Sequence, residues 1–194
     1  LKPTGTGGTL CADLWIAWLL KNRPGGIMWI WNVEAVGTMH LEERFWPLVE
    51  NSPILSDLQS DNRDECRTKE RKFKTGTWLR MNPATEKRLQ ARHVPYVASD
   101  EVWQWDSGRM RDAESRTGAF REAGLAKMLN VSQAGDVGGE WHTRCMASER
   151  FDFHVPCLTC GAFFWPCLEE KVAGKSVYRC KWENVGADET KNER

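Results

Sequence analysis

The sequence contains no uninterrupted apolar run of about 18 residues, which argues against a membrane-spanning helix. It shows no signal peptide. Neither sign of charge is in excess, since 27 Lys and Arg oppose 27 Asp and Glu. A whole-chain field that would draw the protein onto nucleic acid is therefore lacking, although a local basic patch is compatible with this balance. Cysteines number 7, an odd count scattered along the chain, which fits a reducing compartment better than a disulfide scaffold. Internal repeats and low-complexity tracts are absent. The first residue is Leu1 rather than Met, and the glycine-rich stretch at 2–9 lacks the strand that normally feeds such a loop, so the sequence reads as a fragment. What is present is 194 residues, enough for one sizeable domain and a small appendage, with 11 Trp of which several are spaced to serve as core.

The organising stretch is Val94 to Asp106, VPYVASDEVWQWD. Its apolar run, Val94, Tyr96, Val97 and Ala98, ends in Asp100 and Glu101. A buried strand looks like this when its carboxyl end delivers two carboxylates to a site, and open α/β sheets bind ligands at that end. In nucleotide-hydrolysing sheets the first acid holds Mg²⁺, directly or through water. A following Glu can polarise an attacking water as general base. Read alone, the same ending also suits a strand that runs into a solvated acidic turn.

Lys2 to Thr9, KPTGTGGT, places three glycines in four positions and allows close backbone approach. A mostly apolar helical segment follows from Thr9 to about Lys21. A glycine-rich turn opening a helix cradles phosphates with backbone N–H groups. The usual pattern ends in G-K-[ST], but Gly8 occupies the lysine position. A flexible loop is the alternative. Gly26 to Asn32, GIMWIWN, reads as a buried strand, and Val36 to Val49 as a helix complicated by Pro47. Arg71 to Met81 looks like a hairpin turning at Gly76. Lys87, Arg88, Arg92 and His93 mark a basic loop, solvated or in contact with phosphate. Residues 108–126 read as one polar helix, and Lys127 to Ser132 as a strand ended by Ser132 and Gln133. Strands alternating with helices predict an α/β domain with a parallel sheet.

The tail differs. Cys157-x₂-Cys160 is followed after 19 residues by Cys180, and Glu183 stands where a fourth cysteine would be. Structural Zn²⁺ prefers four thiolate-rich ligands. Cys157, Cys160, Cys180 and Glu183 are the candidate set, with Cys167 a spare; the alternative is a metal-free hairpin with its cysteines packed as small apolar groups.

Taken in order, the phosphate loop, the second strand, the hairpin, Asp100-Glu101, the strand ending in Ser132-Gln133 and the RFDFHVPCLTCG segment resemble the large terminase subunit of tailed phages, in the GpA or lambda-like branch. VPCLTCG at 155–161 looks like that family's VPCPHCG signature, and GRMRDAESRT at 108–117 is similar to the segment after its acidic motif. The resemblance covers most of the chain and implies a P-loop NTPase fold of the ASCE type. That is a mostly parallel α/β sheet flanked by helices, with a small zinc-ribbon-like hairpin at the C-terminal end.

The same resemblance implies the site. This branch has a deviant phosphate loop with its lysine at the start, the place Lys2 holds, so Gly5, Gly7, Gly8 and Thr9 would cradle ATP. Thr9 and Asp100 would hold Mg²⁺, Glu101 would be the base, and Ser132 and Gln133 the coupling motif that senses γ-phosphate. Residues 1–150 would form the ATPase core and 151–194 the ribbon-like tail, leading toward a nuclease domain for which no acid cluster is seen here. The implied function is ATP-driven packaging of double-stranded DNA into a procapsid in the host cytoplasm. The implied partners are DNA, a small subunit, a portal protein and further copies in a ring. Another P-loop ATPase such as a DNA helicase, or a non-enzymatic zinc-ribbon module that binds nucleic acid, are the alternatives.

Overall fold

The computed structural model describes residues 7–90, 92–133 and 135–149, and within the remainder 155–156, 161, 163–164, 170–172 and 175–177. The chain divides into two compact units, Leu1–Ser148 and Glu149–Arg194.

The first unit opens with α1 (Gly8–Asn22), followed by the strand β1 (Gly26–Trp31). Every residue of β1 is buried, as in a strand covered on both faces. Next come α2 (Glu34–His40) and α3 (Trp46–Asn51), joined by a π-helical turn over Leu41–Phe45. The sequence predicts one helix here with Pro47 as an obstacle. Proline lacks an N–H and its ring crowds the preceding turn. The chain absorbs this with the π turn, in which the Trp46 N–H bonds the Leu41 carbonyl five residues back, and Pro47 then sits in the first turn of α3.

A short helix α4 (Pro53–Ser56) leads to the predicted hairpin, β2 (Glu70–Lys72) against β3 (Trp78–Pro83), with Lys72 opposite Trp78. The basic loop after it contains one helical turn, α5 (Glu86–Leu89), with Lys87, Arg88, Arg92 and His93 all exposed. Then come β4 (Tyr96–Asp100), α6 (Arg109–Ser115), α7 (Gly118–Arg121), β5 (Lys127–Val131) and α8 (Glu140–Ala147). The single helix expected over 108–126 is thus two short ones. The break is tertiary: Thr117 is buried, its hydroxyl donates to the Glu114 carbonyl, and the Arg116 carbonyl is taken by the Val94 N–H.

The five-stranded sheet has the order β2-β3-β1-β4-β5, parallel except for β2. Period-two alternation sorts its side chains between two cores. Ile27, Trp29, Trp31, Tyr96 and Ala98 pack with Ala12, Ile16, Leu19 and Leu20 of α1 and with Phe45 on one face. Met28, Ile30 and Val97 pack with Leu89 and Ala113 on the other. Helix α1 is pinned to this arrangement by a polar contact. Asp13 Oδ1 lies 2.8 Å from His40 Nε2, both residues are buried, and the imidazole packs edge-on against Trp29.

Asp13→Ala would strip the imidazole of this partner inside the core. The expected result is a loss of about 1–3 kcal/mol of stability, read from the urea unfolding midpoint, because a buried polar group left without a bond keeps its full desolvation penalty. An unchanged midpoint would show that the pair does not secure α1.

In the second unit, residues 155–156 pair antiparallel with 163–164, and 170–172 with 175–177. The candidate zinc ligands Cys157, Cys160, Cys180 and Glu183 lie outside the described residues.

Candidate active site

The parallel strands β1, β3, β4 and β5 deliver their carboxyl ends to one edge of the sheet. Along β4, Asp100 is four residues after Tyr96 and two after Ala98. Alternation therefore puts its side chain on the face that α1 covers. Helix α1 begins at that edge because Gly7 adopts φ +77°, a left-handed conformation that favours glycine, and turns the chain into the helix. The result is a bond across 91 residues of sequence: the Thr9 hydroxyl donates to Asp100 Oδ2 at 2.8 Å. Asp100 is 1% exposed, and its Oδ1 accepts the Glu101 N–H at 2.9 Å. Threonine and aspartate thus meet well inside the distance a shared ion requires, and the first-turn N–H groups of α1 open toward the same edge.

Glu101 ends the strand in the left-handed region, φ 48° and ψ 46°, and among the described residues it is the one non-glycine with positive φ. Such a conformation costs an L-residue roughly 1–2 kcal/mol. Strain of this kind collects at functional sites. The turn after it, Val102–Gln104, is a single 3₁₀ turn. Asn32, the residue after β1, reaches this turn: its Nδ2 donates to Gln104 Oε1 at 3.0 Å.

Ser132 follows β5, is 1% exposed, and its hydroxyl accepts the Trp103 N–H at 3.0 Å. Gln133 offers its backbone carbonyl to Trp141 Nε1 at 2.8 Å. The structure therefore gathers Gly7, Gly8, Thr9, Asp100, Glu101, Ser132 and Gln133 along one edge. Lys2 and Gly5 lie outside the described residues.

Three tryptophans outside the buried core bond to the site. Trp103 Nε1 donates to Glu101 Oε2, Trp105 Nε1 to the Asp100 carbonyl and Trp141 Nε1 to the Gln133 carbonyl. Each indole N–H thus grips a residue of the candidate site. Together with Asp106, Asp136 and Glu140 they line a cavity of about 340 Å³ beside the Glu101 turn.

Over residues 1–193 the chain matches the family described as phage terminase large subunit gpA, ATPase domain. The chain belongs to this family. No curated protein matches it. Among solved structures it is similar to the ATPase domain of the large terminase of Thermus phage P74-26, at 14% identity with a TM-score of 0.58, covering 82% of this chain and 68% of that one. The same domain carrying an arginine-to-alanine substitution matches at 13% identity with the same TM-score and coverage. At such identity the likeness concerns the fold, and it agrees with the mostly parallel, helix-flanked sheet of this terminase ATPase domain. Family membership makes the domain an ATPase and favours it over a helicase or a non-enzymatic module.

The residues present fit the ion that such an ATPase uses. Mg²⁺ takes oxygen ligands and is commonly held by one or two carboxylates together with substrate phosphates. A buried carboxylate and a threonine hydroxyl meeting at 2.8 Å supply donors of that type. Among the described residues no group of three or more His, Cys, Asp or Glu is placed to hold a metal ion by itself. No described helix is long and apolar enough to cross a membrane.

Proposed function

We propose that this domain hydrolyses ATP as the motor of a terminase large subunit that drives double-stranded DNA into a procapsid. The observation that carries the reading is the Thr9–Asp100 bond of 2.8 Å, which joins the glycine-opened helix to the acidic strand end. In this reading the backbone at Gly5, Gly7 and Gly8 cradles the phosphates, and Lys2 neutralises their charge. Thr9 and Asp100 would hold Mg²⁺, which when bound would offset the charge of the phosphates. Glu101 accepts a proton from the attacking water. Ser132 and Gln133 respond to the γ-phosphate and pass its loss to the moving parts.

Packaging would then involve the small subunit, a portal protein and a ring of further copies, in the cytoplasm of the infected cell. On the same reading 1–150 is the ATPase core and 151–194 a ribbon-like tail. In that tail Cys157, Cys160, Cys180 and Glu183 would suit Zn²⁺. What supports this is the cysteine spacing and the antiparallel pairing of 155–156 with 163–164.

The test is DNA-stimulated ATP hydrolysis by the full chain, wild type against Lys2→Ala. Lys21, the next lysine, is in the last turn of α1. At ~1.5 Å per residue it is too far from the loop to substitute. Lys2→Ala is expected to weaken ATP binding and turnover by roughly tenfold or more, as when one charge-assisted hydrogen bond to phosphate is lost. Wild-type binding and turnover in this variant would sink the deviant-loop reading.

A further inference from the structure

The tryptophan that follows the strained Glu101 turn is bonded on both sides of the candidate site. Trp103 Nε1–H donates to Glu101 Oε2 at 2.8 Å. Its backbone N–H donates to the Ser132 hydroxyl at 3.0 Å. Gly135 also lies hard against it, with φ +70°, and a Cβ there would stand 2.8 Å from Trp103 Cβ. Trp103 is nevertheless 37% exposed, so burial alone does not explain its place. Trp105 and Trp141 each grip a main-chain carbonyl, whereas Trp103 reaches the side chain of the candidate base.

We propose that Trp103 is a positioning residue for ATP hydrolysis, holding the Glu101 carboxylate through its indole and tying that hold to Ser132, after β5, through its backbone. The proposal rests on the reading of Glu101 as general base. A glutamate at a strand end has several rotatable bonds, and a base works only within about 2.6–3.2 Å of the proton it takes. An error of about 1 Å in placing a catalytic group can lower a rate 10²-fold. An indole N–H donates and cannot accept, so it orients the carboxylate without competing for the proton. The rigid ring has few torsions to average over the hold. Because the same residue is bonded to Ser132, a shift of Ser132 is transmitted to the base through one residue.

The experiment uses the full chain and compares wild type, Trp103→Phe, Glu101→Gln and the double variant. Phenylalanine keeps an aromatic ring on the same Cβ and the backbone N–H and deletes the indole donor. For Trp103→Phe the expected result is a fall in kcat of about 10- to 100-fold with unchanged KM, ATP affinity and urea midpoint. The double variant should be no slower than Glu101→Gln, because the indole acts through the carboxylate. Wild-type turnover in Trp103→Phe beside a slow Glu101→Gln overturns the positioning role alone. So does a multiplicative loss in the double variant, or a lowered urea midpoint that accounts for the loss by packing. Wild-type turnover in Glu101→Gln overturns the base assignment itself, and this proposal with it.

Discussion

Glu101→Gln is expected to lower ATP turnover by about 10²–10⁴-fold while nucleotide binding stays near its wild-type level. The substitution keeps the size of the side chain and leaves an amide oxygen to accept the Trp103 indole N–H that Oε2 accepts now. The residue's position at φ 48° makes demands on the backbone alone, and glutamine meets them as well as glutamate does. What disappears is an oxygen basic enough to take a proton from water. Fold, phosphate cradle and ion site therefore survive, and only the chemical step loses its acceptor. Equilibrium ATP binding and single-turnover hydrolysis separate the two effects. Unchanged single-turnover hydrolysis would remove Glu101 from the mechanism, and a parallel loss of binding would assign it to holding nucleotide instead.

The strand end that carries this residue was legible in the sequence, because both signals that define it are local. An apolar run stops at two acids, and a glycine cluster precedes an apolar helix. Period-two alternation puts Asp100 on the face of Tyr96 and Ala98, which the fold shows to be the α1 side, whereas a site shared by Thr9 and Asp100 was implied by the family resemblance alone. The left-handed turn at Glu101 was not legible, since glutamate carries no preference for positive φ and the conformation is imposed by its surroundings. The tryptophan contacts were not legible for a related reason: only the fold shows that Trp103, Trp105 and Trp141 aim their N–H groups at Glu101, Asp100 and Gln133.

Elsewhere the misses follow sequence-distant contacts. The interruption at Thr117 depends on a bond from Val94, and helix α8 has no buried residue to give it an apolar period. The π turn before Pro47 was visible only as an obstacle, because the sequence shows the missing donor but not how the backbone accommodates it.

Asp100→Asn should have a different signature from Glu101→Gln: a fall in kcat/KM of about 10²–10³-fold together with a higher Mg²⁺ requirement. The carboxylate accepts the Thr9 hydroxyl on one oxygen and the Glu101 N–H on the other. An asparagine can satisfy both positions in one orientation only. Its oxygen must face the Glu101 N–H, since its amide N–H there would set donor against donor. Its NH₂ then faces Thr9, whose hydroxyl can accept as well as donate. The substitution therefore keeps these two bonds, and with Asp100 1% exposed the neutral side chain removes a buried charge rather than adding one. What is lost is the negative charge that, on the proposed reading, draws a divalent cation to the strand end. Titrating Mg²⁺ at fixed ATP should show the half-maximal concentration rising in Asp100→Asn and holding steady in Glu101→Gln. Urea unfolding of both variants provides the control for folding. An unchanged Mg²⁺ requirement in Asp100→Asn would take the ion site away from Thr9 and Asp100, and the bond between them would then be a tie between helix and sheet.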